Sequence, residues 1–269
     1  MNLLVMLAAL TAVPGQAVYL SVPMRADVEV VSAEFEGQEV RLAATNDGWF
    51  ALLGVDLDVK PGSYDIQLSY ELEAGGMDYD TVVLDVLPKD YPTTKLEVAP
   101  KYVELSKENQ TRSANERKQI RQAYAETRIQ PYWSDDFMIP ILGVQGGRNF
   151  GHRRVFNQQP RSPHSGADLA AATGTEILAA NSGKVLLTGD FFFNGRSVFV
   201  DHGMGVLTMY LHLSEILVED GQVVERGDLI GLAGATGRVT GPHLHWGAKV
   251  GGARVDPFSL PGIEAESAE

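Results

Sequence analysis

None of the 269 residues is a cysteine. That excludes disulfides, thiolate zinc sites, iron–sulfur clusters and a cysteine nucleophile, so any bound metal must sit on histidine, aspartate or glutamate. Basic residues are scarce, with 22 Lys+Arg against 35 Asp+Glu and a formal net charge of −13. A nucleic-acid binder presents a basic face to phosphates, and this balance argues against that class. A long apolar run is missing too. The uncharged stretch at residues 3–13 has 11 residues, where a spanning helix needs about 20. Its length suits the core of a signal peptide, with Gly15-Gln16-Ala17 as a small-x-small cleavage site, so residues 1–16 read as an export signal for the periplasm or cell envelope. The segment before it, Met1-Asn2, carries no Lys or Arg, and a buried first strand is the competing reading. With no Cys after the run, a lipoprotein anchor is excluded.

What is present points to two β-rich domains. Charged residues make up 21% and apolar ones 44%, which fits neither a disordered chain nor a multi-span membrane protein. Residues 1–139 hold 12 basic and 22 acidic side chains, residues 140–262 hold 10 of each, and residues 263–269 form an acidic tail with three Glu. Apolar alternation in Val28–Val31, Val40–Leu42 and Tyr64–Tyr70, broken by Glu36-Gly37, Asp47-Gly48, Pro61-Gly62 and Gly75-Gly76, predicts a small immunoglobulin-like sandwich over 17–88. That region lacks histidine and reads as a targeting or spacing module. Residues 89–139 form a linker with a helix expected from Ala114 to about Arg128. Ser113-x-x-Glu116 would be its capping box, Ile120 and Tyr124 its apolar stripe, and Pro131 its stop. The helix is expected to clamp the two domains together.

Residues 140–262 carry 21 of the 28 glycines and all six histidines. Short β-rich runs between glycine turns (Lys184–Leu187, Ser197–Val200, Val206–Leu211, Asp228–Leu232, His243–Lys249) predict a glycine-rich antiparallel β domain. The chemistry concentrates in Pro163-His164-Ser165-Gly166-Ala167-Asp168, in Tyr210-Leu211-His212-Leu213 and in Gly241-Pro242-His243-Leu244-His245-Trp246. Strand side chains repeat every two residues, so His243 and His245 share a face and Leu244 points away. In extended geometry His164 and Asp168 share a face as well, and Ser165-Gly166 argues against a helix there. Two imidazoles and a carboxylate make a hard-to-borderline site, and three protein ligands with an open position are the pattern of catalytic zinc.

Together, His164-x3-Asp168, Tyr210-x-His212-Leu213 and Thr240-Gly241-Pro242-His243-Leu244-His245 resemble the lysostaphin/LytM-type zinc endopeptidases, which cut peptide cross-links in bacterial peptidoglycan. The resemblance covers residues 148–257 and includes Phe150-Gly151, Gly183-Lys184-Val185, Asp201-His202-Gly203 and Val255-Asp256-Pro257. It implies one Zn2+ on His164, Asp168 and His245, with His212 and His243 as an unliganded catalytic pair. The implied reaction is attack of zinc-activated water on the scissile carbonyl, with a histidine passing the proton to the leaving amine. Among substrates, diaminopimelate cross-links are favoured over glycine bridges. The alternative is a non-catalytic LytM-like regulator of another hydrolase, a class whose members typically lack ligands.

Other signals read as structural. His202 lies at a strand end. His152 sits near the first ligand and could line a groove. Arg153, Arg154 and Arg161 read as a solvated loop, with contact to substrate carboxylates as the alternative, and alternation sends Trp246 into the core. Gly231-x-x-Gly234-x-x-Gly237 is no G-x-G-x-x-G and lacks a strand–helix setting, so nucleotide binding is rejected.

Overall fold

The computed structural model describes residues 9–98, 104–124, 130–144, 147 and 149–260. The acidic tail expected at 263–269, residues 1–8 and the helical turn expected after Tyr124 lie outside these residues. Among the described residues the chain is mainly β with one α-helix, as its patterning predicts.

The first region has strands β1 (Leu10–Ala12), β2 (Ala17–Pro23), β3 (Val28–Phe35), β4 (Gln38–Arg41), β5 (Ala43–Ala44), β6 (Gly48–Gly54), β7 (Gly62–Leu72) and β8 (Met77–Val86). They form a five-stranded sheet, ordered β1-β8-β7-β3-β4, and a three-stranded sheet, β2-β6-β5. Period-2 patterning is why these segments pair. Ile66, Leu68 and Tyr70 of β7 and Val82, Leu84 and Val86 of β8 are all buried in one core, while Asp65, Gln67 and Glu71 between or beside them face out. Part of the run read as an export signal is built into this sandwich. β1 pairs in parallel with β8, Ala12 is buried, and the Leu87 N–H donates to the Ala12 carbonyl at 2.7 Å.

The linker supplies β9 (Thr93–Leu96) and helix α1 (Lys107–Ala123). α1 begins seven residues before the expected start. Its N-cap is Ser106, whose Oγ accepts the Asn109 N–H at 3.2 Å. The expected cap, Ser113, lies inside the helix with its hydroxyl donating to the Gln110 carbonyl. That back-bond satisfies a mid-helix serine that would otherwise favour a cap. α1 lies on the second domain's sheet: Ile120 and Tyr124 pack with Leu187, Phe191, Phe199 and Leu211, and Glu116 accepts the Phe192 N–H. Other contacts join the sandwich to that domain, Arg254 to Asp56 and Asp58 foremost.

The second domain contributes β10 (Arg153–Phe156), β11 (Gln159–Arg161), β12 (Gly166–Ala170), β13 (Glu176–Leu178), β14 (Gly183–Phe191), β15 (Gly195–Asp201), β16 (Val206–Leu213), β17 (Glu215–Ile216), β18 (Val223–Val224), β19 (Leu229–Leu232), β20 (His243–Val250) and β21 (Ala253–Val255). The main sheet runs β12-β20-β16-β15-β14-β18, with β21 on β20. β9 adds in parallel to the β10–β11 hairpin, which places the linker beside the face carrying the histidines. On the opposite face, Leu244 and Trp246 are fully buried, as alternation requires.

Candidate metal centre and its groove

β12 and β20 are antiparallel neighbours in which Asp168 stands directly across from His245 and Ala170 from His243. Cross-strand partners on one face bring their side chains together. His164, two residues before β12, closes the group. His164 Nε2, Asp168 Oδ1 and His245 Nδ1 form a near-equilateral triangle, with edges of 3.0 Å (His164–Asp168), 2.9 Å (His164–His245) and 2.9 Å (Asp168–His245). Among the described residues this is the one cluster of three such donors able to hold a metal.

The donor set itself tests the fit. His164 Nδ1 lies 3.0 Å from the Asn149 carbonyl, which can only accept, so Nδ1 carries the ring hydrogen and Nε2 turns a lone pair into the triangle. The carboxylate brings another lone pair, leaving His245 Nδ1 as the one ring atom that could supply a hydrogen. A divalent ion satisfies all three donors at once, at ligand distances of about 2.0–2.2 Å. Burial pushes the His164 pKa down to about 4, against the raising effect of Asp168, so the ring is neutral at neutral pH, as a ligand must be. Burial pushes Asp168 up, but the hydrogen bonds with His164 and His245 outweigh it and hold the carboxyl well below the usual range.

The other two histidines of the motifs converge on the same face. His243 Nε2 lies 3.6 Å from Asp168 Oδ1, and its Nδ1–H donates to the Gly241 carbonyl at 2.9 Å. His212 Nδ1–H donates to the Thr236 carbonyl at 2.9 Å, and its ring centroid is 5.0 Å from that of His243 and 6.0 Å from that of His245. In both rings the carbonyl fixes the hydrogen on Nδ1 and leaves Nε2 as the basic atom. Burial lowers the His212 pKa to about 3. Strict alternation would put His212 with Tyr210, on the core face. A bulge reverses this: Arg196 pairs with Leu213 but Val198 with Tyr210, so β16 holds one extra residue there. His212 takes the left-handed backbone, φ 68°, and swings onto the metal face.

Asn149 is the functional residue that the motifs do not flag. Its side-chain Nδ2 donates to Asp168 Oδ2 and its Oδ1 accepts the Asp168 N–H, both at 2.9 Å, while its carbonyl holds His164. One residue thereby orients two members of the triangle. No spacing rule reaches it, because it acts from a loop 15 and 19 residues upstream. Arg154 departs from the solvated-loop expectation. It is half-buried on β10, lines the groove and holds Nη2 3.4 Å from Asp168 Oδ2. His152 donates to or accepts from Thr94 Oγ1 at 2.9 Å on β9 and lines the groove. His202 is fully buried between the Ser182 carbonyl and Thr208 Oγ1 and serves the core.

Comparison with known proteins follows the same lines. Residues 162–257 match the model for peptidase family M23. Peptidoglycan DD-endopeptidase ShyA of Vibrio cholerae is 46% identical over 109 residues, 40% of this chain and 25% of that protein. DD-carboxypeptidase/endopeptidase Mpg of Neisseria meningitidis is 41% identical over 121 residues, 45% of this chain and 28% of that protein. The matched segments thus span about a quarter of these curated relatives' length. A solved structure from Pseudomonas aeruginosa, assigned to peptidase M23, is 32% identical, with a TM-score of 0.65 and coverage of 94% of this chain and 96% of that one. With the likeness to that structure extending over nearly the whole of both chains and the family model matching the histidine-bearing segment, the chain belongs to peptidase family M23.

Proposed function

We propose that the protein is a zinc-dependent endopeptidase that hydrolyses peptide cross-links of bacterial peptidoglycan in the cell envelope. The observation that carries the reading is the convergence of a three-donor triangle with two further histidines whose Nε2 atoms are left basic by backbone carbonyls. The named activities of ShyA and Mpg support it.

In this reading His164, Asp168 and His245 hold Zn2+, which supplies Lewis-acid activation of water and of the scissile carbonyl when bound. His243 and His212 handle protons: one Nε2 accepts the proton of the attacking water and returns it to the leaving amine, and the other, once protonated, donates to the developing oxyanion. Asn149 keeps Asp168 and His164 in place. A regulator that binds without turnover has no need of the carbonyl-locked pair, and nothing in the site favours it.

Zinc-loaded protein incubated with purified diaminopimelate-type peptidoglycan should deplete cross-linked dimers, read by mass of the released muropeptides, while His243→Ala should not. Stoichiometric zinc without any cleavage would overturn the endopeptidase reading for this substrate.

A further inference from the structure

His212 reaches the metal face through a bulge and a left-handed backbone, φ 68°. For a residue with a Cβ that conformation is unfavourable, and it persists only where the surroundings impose it. The loop between β19 and β20 supplies a group that does so. Arg196 of β15 and Leu213 of β16 are register partners at the point where the register shifts. The Thr236 hydroxyl stands between them: Oγ1 accepts the Arg196 N–H at 2.9 Å and donates to the Leu213 carbonyl at 2.8 Å. One side chain thereby satisfies a backbone donor and a backbone acceptor on the two strands that the bulge disturbs. The carbonyl of the same residue accepts the His212 Nδ1–H, and the Asn194 carbonyl accepts the His212 backbone N–H, both at 2.9 Å.

Ring and backbone of His212 are therefore tied to two loops, 193–195 and 236–238, and these loops pack backbone to backbone. The Arg238 N–H donates to the Phe193 carbonyl at 2.9 Å. Gly195 and Gly237 take left-handed backbone, φ 62° and 75°. A side chain on Gly195 would collide with Thr236, and one on Gly237 with the Gly195 nitrogen and the Phe193 carbonyl, so the close approach needs both glycines. The bond made by one imidazole nitrogen sets the tautomer and aim of the other. Any residue at 236 would bring a carbonyl; threonine also brings the hydroxyl that ties this carbonyl to the bulge turning His212 over. We propose that Thr236 is a positioning residue for the reaction: its hydroxyl fixes the bulge and the carbonyl together, which keeps the hydrogen of His212 on Nδ1 and its basic Nε2 presented to the groove. The inference rests on the endopeptidase reading, in which His212 handles a proton, and names the group that keeps it fit for that step.

The test uses the zinc-loaded full chain and a diaminopimelate cross-linked dimer. Thr236→Val keeps the branched shape and removes the hydroxyl. It should retain stoichiometric zinc and a KM within about twofold of wild type while kcat falls roughly 10- to 100-fold, the range for a misplaced catalytic group. Thr236→Ser, which keeps the hydroxyl, should recover most of that loss. In a His212→Ala background the same Thr236→Val change should cost nothing further, because residues acting as one unit are not additive. Nitrogen NMR of the imidazoles, which needs no turnover, should show His212 protonated on Nδ1 alone in wild type and in Thr236→Ser, and a mixture of tautomers in Thr236→Val. An unchanged kcat in Thr236→Val, loss of its zinc, or an equal loss of activity with and without His212 would overturn the assignment while leaving the endopeptidase intact. Failure of zinc-loaded wild type to turn over the dimer would remove the endopeptidase reading. The imidazole spectra would then decide alone, and an unaltered His212 tautomer in Thr236→Val would refute the positioning.

Discussion

At the residue scale, a single proton or methyl group decides whether the site works. His245 offers Nδ1 to the triangle, whereas His212 stands outside it, its ring 5.0 Å from His243 and 6.0 Å from His245 and its Nδ1–H held by the Thr236 carbonyl. His245→Ala should therefore abolish stoichiometric zinc, and His212→Ala should keep zinc and lose turnover by about 10²- to 10⁴-fold, the usual worth of a general acid–base. Equal zinc loss in both would refute the division of roles. Gly166 offers a second check. A Cβ there would stand 2.5 Å from His245 Nε2, closer than carbon and nitrogen tolerate, so His245 would have to move. Gly166→Ala should weaken zinc affinity by roughly 10- to 100-fold in a chelator competition, as disturbed ligand supports do, with the β-sheet circular dichroism unchanged. His202 gives the pH dependence. Burial holds its pKa at about 4, against about 6.5 in an unfolded chain. Between those values the unfolded state binds the proton and the folded state does not, so stability is full above pH 6.5 and falls as pH drops towards 4. The loss is on the order of 3 kcal/mol. Denaturation midpoints across that window should be flatter in His202→Gln than in wild type, at saturating zinc in both.

At the scale of elements, periodicity carries most of the fold, and its failures have identifiable causes. Alternation in β7 and β8, and the pairing of His243 with His245, follow directly from the sequence because each strand has one buried face. α1 starts at Lys107 and not at Ala114 because Ser113, a cap by pattern, bonds back to the Gln110 carbonyl inside the helix while Ser106 caps it. His212 is invisible to alternation, since an extra residue in β16 flips it. Asn149 and Arg154 reach Asp168 from a loop and from β10 through tertiary closure, which leaves no periodic mark. β1 is the element whose sequence had two readings. Its segment donates and accepts through Leu87 N–H to Ala12, Gly15 N–H to Val55 and Asp256 N–H to Gly15. Removing residues 9–16 takes these three bonds together with Val55 N–H to the Gln16 carbonyl and the Tyr91 hydroxyl to the Pro14 carbonyl, and should cost about 5 kcal/mol at roughly 1 kcal/mol for each, seen as a lower denaturant midpoint. An unchanged midpoint would mean that the strand adds nothing to the fold.

Across the whole molecule, the question is whether sandwich and catalytic sheet are separable. One apolar cluster runs through both: Leu52, Leu53 and Val55 belong to the same contiguous core as Val250, Val255 and Trp246. Gly54 sits so close to the Val250 carbonyl and the Ala253 methyl that a side chain there would collide with both. Polar groups seal the joint. Asp56 accepts from Arg254 through its backbone N–H at 2.8 Å and through the guanidinium, and the Ala17 N–H donates to Ser259 Oγ at 2.9 Å. Burial pushes Asp56 up, yet these hydrogen bonds hold its carboxyl below the usual range, the signature of a pair that favours the docked state. Because the two halves share a core, neither has a complete one alone, and they should unfold together as a single transition. Calorimetry of the zinc-loaded chain should give one peak. Asp56→Ala, which leaves the Arg254 guanidinium without its main partner, should lower stability by about 2 kcal/mol, the range for hydrogen bonds to charged groups. It should do so by shifting that one peak. Two separated peaks in wild type would show instead that the sandwich is an independent module resting on the peptidase domain, and the joint at Asp56 would then govern docking and leave folding untouched.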